Sequence, residues 1–247
     1  AACIVSLMDV VVHLDALFQA KGNLIQLALE PEPDCLLENT QECIDFFARL
    51  RRDGREMLAK RLRCKESEAE ALIVRYIGVC LDTCHFSVGF ESPAAALHRF
   101  ADAGIAIPKL QISAALKGDP AAMEWPRLEA LCDPVYLHQT RFRATDGAVQ
   151  SYRDLPEALT HWQKWSSCDR AGDSRIHFHV PLYFSSHQGL QSTSDELDAA
   201  FFDEVQKQHI THCEIETYTF DVLPDELKCA DIIDSIAREY AWTLERI

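Results

Sequence analysis

Residues 77–81, Ile-Gly-Val-Cys-Leu, form a short run without a charge, and similar apolar runs occur at 23–29, 105–112, 175–183 and 211–220. Between them lie longer stretches in which apolar residues recur every three to four positions, the spacing of a helix with one buried face. Strand, helix, strand, helix implies parallel pairing with right-handed crossovers. The chain has 247 residues, close to the roughly 250 of a single (β/α)8 barrel. The expectation is therefore one α/β barrel domain spanning 1–247. Only five barrel-type strands are countable where a closed barrel needs eight, and residues 2–20 already read as a helix. The barrel is thus expected to lack, or not to record, its N-terminal strands.

Local punctuation supports the helical stretches. Ser92 is a natural N-cap, Pro93 suits the first helical turn, and Gly104 suits the end. Residues 194–208 open with a cap residue followed by acids, which suit the positive end of a helix dipole. A final helix is expected from Pro224 to about Glu245. Residues 138–152 read differently: two short extended pieces flank Thr145-Asp146-Gly147, a hairpin turn, as a β insertion before a helix at 155–165.

The formal net charge is −15 and the pI about 5.0. A field of that sign repels phosphate backbones and anionic lipid, so a small-molecule metabolite is the expected partner rather than nucleic acid or membrane. It also argues against an apurinic-site endonuclease, since no basic stripe is present. No segment reads as the roughly 20 apolar residues of a membrane helix, and residues 1–15 lack the features of a signal peptide. The ten cysteines form no C-x-x-C pair and several lie in apolar runs, where a thiol behaves as a small hydrophobe. A reducing cytoplasm fits that usage.

Side chains two apart on a strand share a face. On that rule Glu30 and Glu32 fall together at the end of the first run, and Asp82 follows Cys80 inward with His85 opening the next loop. Lys109, Gln111 and Ser113 share a face, as do His177 and His179, and as do Glu214, Glu216 and Tyr218. Ionised groups inside a core cost several kcal/mol each unless paired or bound to metal. A set of Glu, Asp and His suits Mn²⁺, Mg²⁺, Co²⁺ or Zn²⁺. Against this, Glu32 between two prolines also reads as a solvated loop acid, and His177 and His179 as one ligand and one supporting histidine. Cys80 and Cys84 read as packing residues.

At these residues the sequence resembles a family. Leu-Ala-Leu-Glu30-Pro-Glu-Pro, Cys-Leu-Asp82-Thr-Cys-His85 and Cys-Glu-Ile-Glu216-Thr-Tyr resemble strand ends of xylose-isomerase-like sugar isomerases and epimerases. His177-Phe-His-Val-Pro-Leu, the run from Glu214 to Pro224, and Tyr152-Arg-Asp-Leu-Pro-Glu-Ala-Leu resemble its EboE-type metabolite-traffic branch. The resemblance implies a divalent metal held by Glu30, Asp82, His179 and Glu216, with Glu30 and Glu216 doubling as acid/base residues and His85 at the substrate. Glu32, Lys109, Gln111, His138, His177 and Glu214 would contact substrate or support the ligands. The implied activity is a metal-dependent isomerase or epimerase acting on a small polyol, sugar or cyclitol-like metabolite in a secondary-metabolite export pathway. One departure stands out: the next-strand histidine ligand is missing near Lys109-Leu-Gln111. His179 would supply the imidazole, or Gln111 an oxygen, or the site holds no metal and the chain is a non-catalytic metabolite carrier.

Overall fold

The computed structural model describes residues 2–123, 125–166, 169–220, 223 and 228–247. Three helices come first: α1 (Ala2–Lys21), then, after strand β1 (Leu27–Leu29), α2 (Thr40–Leu62) and α3 (Glu66–Tyr76). Ile4, Leu7, Met8, Val11 and Leu14 recur at helical spacing along α1 and join Phe47, Leu50 and Leu58 of α2 and Ile73 and Tyr76 of α3 in the core. The α1 segment has 20 residues, and an 18-residue window in it has a mean hydropathy of 1.6, so it is long and apolar enough to cross a membrane by length and composition alone; one face of it packs into the core described above. Asn39 caps α2 by accepting a hydrogen bond from the Glu42 amide at 3.0 Å, which satisfies one of the helix's orphan donors.

Strand β2 (Ile77–Asp82), the short helix α4 (Thr83–Val88), helix α5 (Pro93–Asp102) and strand β3 (Lys109–Ile112) follow. Ser92 caps α5 with Pro93 in its first turn, and Gly104 takes φ +64° beyond its end, a conformation that costs glycine little. Every residue of β2 is buried, as in a strand covered on both faces. Strand β4 (Leu116–Gly118) begins after three residues. Then come α6 (Trp125–Ala130), β5 (Thr140–Ala144), β6 (Val149–Tyr152), α7 (Leu155–Trp162) and β7 (Gly172–Ile176). The chain closes with β8 (Ser186–His187), β9 (Leu190–Ser192), α8 (Ala199–Lys207), β10 (Cys213–Ile215) and α9 (Ile232–Leu244). Asp198 rather than Ser194 caps α8, and Asp231 caps α9. The expected earlier start of that last helix, at Pro224, lies outside the described residues.

The strands form two sheets and no closed barrel, which overturns the (β/α)8 expectation. One sheet is parallel, in the order β1-β2-β3-β10. The other is antiparallel, in the order β6-β5-β7-β4-β9-β8. Residues 175–183 were expected as one more parallel barrel strand. Instead β7 pairs antiparallel with β5 on one edge and with β4 on the other, so neither edge is free for a parallel neighbour. The hairpin expected around Thr145-Asp146-Gly147 is present: β5 and β6 are its strands, Gly147 sits at φ +88°, and β5 also pairs with β7. A single hydrophobic cluster runs from Ile4 through Ile112 and Ile176 to Leu223 and spans both sheets.

Register aligns the functional ends of the parallel strands. Asp82 stands opposite Gln111, and Gln111 opposite Glu214. Behind them, Gly78 admits a close approach: a Cβ there would lie 2.4 Å from Pro108 Cδ and 2.6 Å from the Ala106 carbonyl oxygen. Overpacking a rigid core typically costs about 1–3 kcal/mol. Gly78→Ala should therefore lower the unfolding free energy by that amount, read as a lower urea midpoint at an unchanged slope of the transition; an unchanged midpoint would show that the β2–β3 connection yields freely.

A candidate metal centre at the ends of the parallel strands

Asp82 is the last residue of β2, Glu30 follows β1, Ser113 follows β3 and Glu216 follows β10. The Glu216 amide donates to the Ile112 carbonyl at 3.2 Å, so the parallel ladder continues one residue past β10 and delivers this carboxyl to the cluster. Glu30, Asp82 and Glu216 each bring one carboxylate oxygen within 4.8 Å of the others. Asp82 is fully buried. Its Oδ1 accepts from Ser113 Oγ at 2.6 Å and from the His85 amide at 3.2 Å. Asp82 Oδ2 and Glu216 Oε2 are buried with no hydrogen-bonding partner. Two such orphaned oxygens are costly unless a proton or a cation serves them.

Three imidazoles complete the cluster. His85 belongs to α4 rather than to a loop, because Asp82 caps that helix. His177 and His179 lie beyond β7, where the His177 amide donates to the Gln139 carbonyl and the Val180 amide to the Ala114 carbonyl, each at 2.9 Å. The segment bridges the two sheets and carries both side chains to the strand ends.

Each imidazole directs Nδ1 at a carbonyl oxygen. His85 reaches the Pro31 carbonyl at 2.8 Å, His177 reaches Gln139 Oε1 at 2.6 Å, and His179 reaches the Glu216 carbonyl at 2.9 Å. A carbonyl only accepts, so Nδ1 carries the hydrogen and Nε2 of a neutral ring keeps its lone pair. The Gln139 amide is oriented by its own donor end, which bonds Glu32 Oε1 at 3.2 Å and the Pro33 carbonyl at 3.3 Å. The Nε2 atoms of His177 and His179 stand 3.0 Å apart. Two nitrogens on one tetrahedral ion stand about 3.4 Å apart, so these two are close to ligand spacing.

Charge within the cluster follows from burial. Burial drives His177 well below the ordinary histidine value, helped by the neighbouring His179, His85 and His138. Burial also lowers His179, against the pull of Asp82. Burial alone would lower His85, but the Asp82 carboxylate and the Pro31 carbonyl bring it above the ordinary value. Burial opposes ionisation of Asp82, yet His85 and His179 hold its carboxyl below the usual range. Glu30 is raised, chiefly by burial. Glu216 is raised to about 7, by burial and then by the Asp82 and Glu30 charges. A neutral His179 grouped with Asp82, and Asp82 grouped in turn with Glu30 and Glu216, offer the imidazole and carboxylate donors that a divalent ion requires. The residues fit that group.

The sequence-derived residues divide accordingly. Glu30, Asp82, His85, His177, His179 and Glu216 come together, and Glu32 joins His85 and His177 with one donor atom each within 4.8 Å. His138 stands behind the cluster: it is fully buried, its Nδ1 lies 2.9 Å from the His177 carbonyl, and its ring lies against Phe178. Gln111 is no free oxygen ligand, because Cys80 Sγ donates to its Oε1 at 2.5 Å. Lys109 and Glu214 pair with each other at 2.5 Å, with the Glu214 side chain exposed. Two contributors, Gln139 and Cys84, escaped the sequence reading, and a third, Tyr218, was placed there only by its shared face. Gln139 is a neutral residue outside any periodic pattern, and its only signal is adjacency to His138. Tyr218, with its ring centroid 4.7 Å from that of His179, shares strand parity with Glu216. Cys84 was read as packing.

Comparison of the chain with protein-family models, with curated proteins and with solved structures gives no match. A cleft of about 550 Å³ lined by Lys117, Ser194, Asp195 and Trp242 includes none of the cluster residues. Its charges are already matched, Lys117 Nζ lying 2.6 Å from Asp195.

In the metal-free protein Glu216 keeps its proton up to about pH 7, whereas an unfolded chain releases it near the ordinary 4.5. Its contribution to stability is therefore complete below about 4.5 and is lost as pH rises to about 7. The stability difference between wild type and Glu216→Gln, measured by urea unfolding in chelator, should fall across that window and be flat above it. A pH-independent difference would contradict the protonation assigned here.

Proposed function

We propose that this chain is a divalent-metal-dependent enzyme of isomerase or epimerase type, moving a proton at a carbon beside the carbonyl of a small polyol, sugar or cyclitol-like metabolite. The observation that carries the reading is the convergence on Asp82 of two donor groups, Glu30 with Glu216 and His85 with His179, each with one donor atom per residue within 4.8 Å, together with the Asp82 and Glu216 oxygens that have no hydrogen-bonding partner. Asp82, His179, Glu216 and Glu30 would hold the ion, with His85 and His177 beside them. When bound, such an ion polarises a substrate carbonyl and steadies the negative charge that develops on its oxygen.

The acid and base are this chain's own carboxyls. Glu216, at about 7, is near the value at which a group both accepts and returns a proton at neutral pH. Glu30 is the more accessible, with its side chain 39% exposed, and one of its oxygens lies within 4.8 Å of one of Glu216. Their arrangement suits removal of a carbon-bound hydrogen by one and protonation by the other. Asp82, already held ionised by His85 and Ser113, is suited to charge balance rather than proton traffic. His138 and Gln139 act through His177 and are positioning residues.

Metal-supplemented protein incubated in D2O with a panel of ketoses, aldoses and inososes tests this, with carbon-bound deuterium read by mass spectrometry. Wild type should exchange one class of substrate, and Glu30→Gln and Glu216→Gln should each slow exchange by at least about 100-fold, the usual worth of a general acid or base. An active Glu30→Gln/Glu216→Gln double variant would sink the assignment. Thermal stabilisation by one of these compounds without deuterium uptake would instead make the chain a metabolite carrier, the reading in which the same pocket binds and does no chemistry.

A further inference from the structure

Cys84 is fully buried, and its Sγ lies within 4.8 Å of a ring nitrogen of both His177 and His179. Those are the two imidazoles whose Nε2 atoms face each other at 3.0 Å. The thiol of Cys80, two strand positions before Asp82, is engaged with the Gln111 carboxamide. Cys84 has no such acceptor. The residue is also held in place: its own amide donates to Ser113 Oγ at 2.9 Å, the hydroxyl that donates onward to Asp82 Oδ1 at 2.6 Å. One serine therefore orients both a carboxylate and a cysteine around His179, and the unpartnered Asp82 Oδ2 is buried in the same cluster.

Resting on the metal-centre reading above, we propose that Cys84 is a ligand: Cys84 Sγ with the Nε2 atoms of His177 and His179 forms a nitrogen–sulfur donor set that selects a borderline-soft ion, Zn²⁺ or Co²⁺, over Mg²⁺ or Mn²⁺. Imidazole and thiolate favour such ions, whereas all-oxygen sets favour the hard ones. Asp82, which groups with His179 within the same 4.8 Å, and Glu30 and Glu216, which group with Asp82, would supply the oxygen donors that complete the coordination. Binding breaks the S–H bond, forms a metal–sulfur bond and releases the proton to solvent, with no change of oxidation state.

Cobalt(II) titrated into the chelator-treated full chain is the test, followed by absorption spectroscopy. Wild type should develop a near-ultraviolet thiolate-to-cobalt charge-transfer band together with visible ligand-field bands. Cys84→Ser should lose the first and keep the second, Cys80→Ser should keep both, and Zn²⁺ affinity should fall about 10- to 100-fold or more in Cys84→Ser, since loss of even an outer-shell partner has that effect. Ligand-field bands without a charge-transfer band in wild type would overturn the assignment of Cys84 while leaving the metal centre standing. Failure of wild type to bind cobalt would overturn both. The wild-type spectrum decides the first question even if the serine variant does not fold.

Discussion

A carboxylate cut off from water must be surrounded by donors or by positive charge, and Asp82, fully buried at the end of a fully buried strand, imposes that demand on everything near it. Leaving such a charge uncompensated would cost several kcal/mol. The structure meets the demand from three directions. The Ser113 hydroxyl comes from the end of β3, the His85 amide from the first turn of α4, and positive charge from the His85 imidazole. Only one of the two oxygens is satisfied in this way. The other, with its counterpart on Glu216, is served by the Glu216 proton or by a cation, and the centre proposed here is the consequence.

That demand also accounts for the meeting of the two sheets. Parallel strands bring Asp82, Ser113 and Glu216 to a common edge through register alone. Imidazoles to balance them come from a different sheet. β7 is held antiparallel between β5 and β4, and the residues after Ile176 leave its ladder to bridge toward Ala114. His138 and Gln139, just before β5, then fix His177 through its carbonyl and its ring. Ligand orientation by outer partners of this kind is typical of metal sites and matters nearly as much as the ligands themselves.

The site was more legible in the sequence than the fold. Alternation along a strand is local, so the parity of Glu30, Asp82 and Glu216 could be read wherever a true strand lay beneath them. Pairing is not local. Nothing in the apolar run at 175–183 distinguishes a parallel barrel strand from a strand clasped between two antiparallel neighbours, and the hairpin before it was read as an insertion although it supplies one of those neighbours. Parity puts Glu214 with Glu216, and in the structure Glu214, opposite Gln111, forms an exposed ion pair with Lys109. Gln139 and Cys84 were missed because neither residue type announces a role; only the placement of a ring nitrogen beside each gives it one.

The measurement that bears most directly on the central claim is elemental analysis of the purified full chain after equilibration with a mixture of divalent ions and desalting, run in parallel on Asp82→Asn. The account expects near-stoichiometric retention of one ion in wild type and its loss in the variant, because the amide keeps the shape of Asp82 and removes the charge that the cluster is built around. Wild type that retains no ion, or an Asp82→Asn variant that retains as much as wild type, would contradict a metal centre at these strand ends.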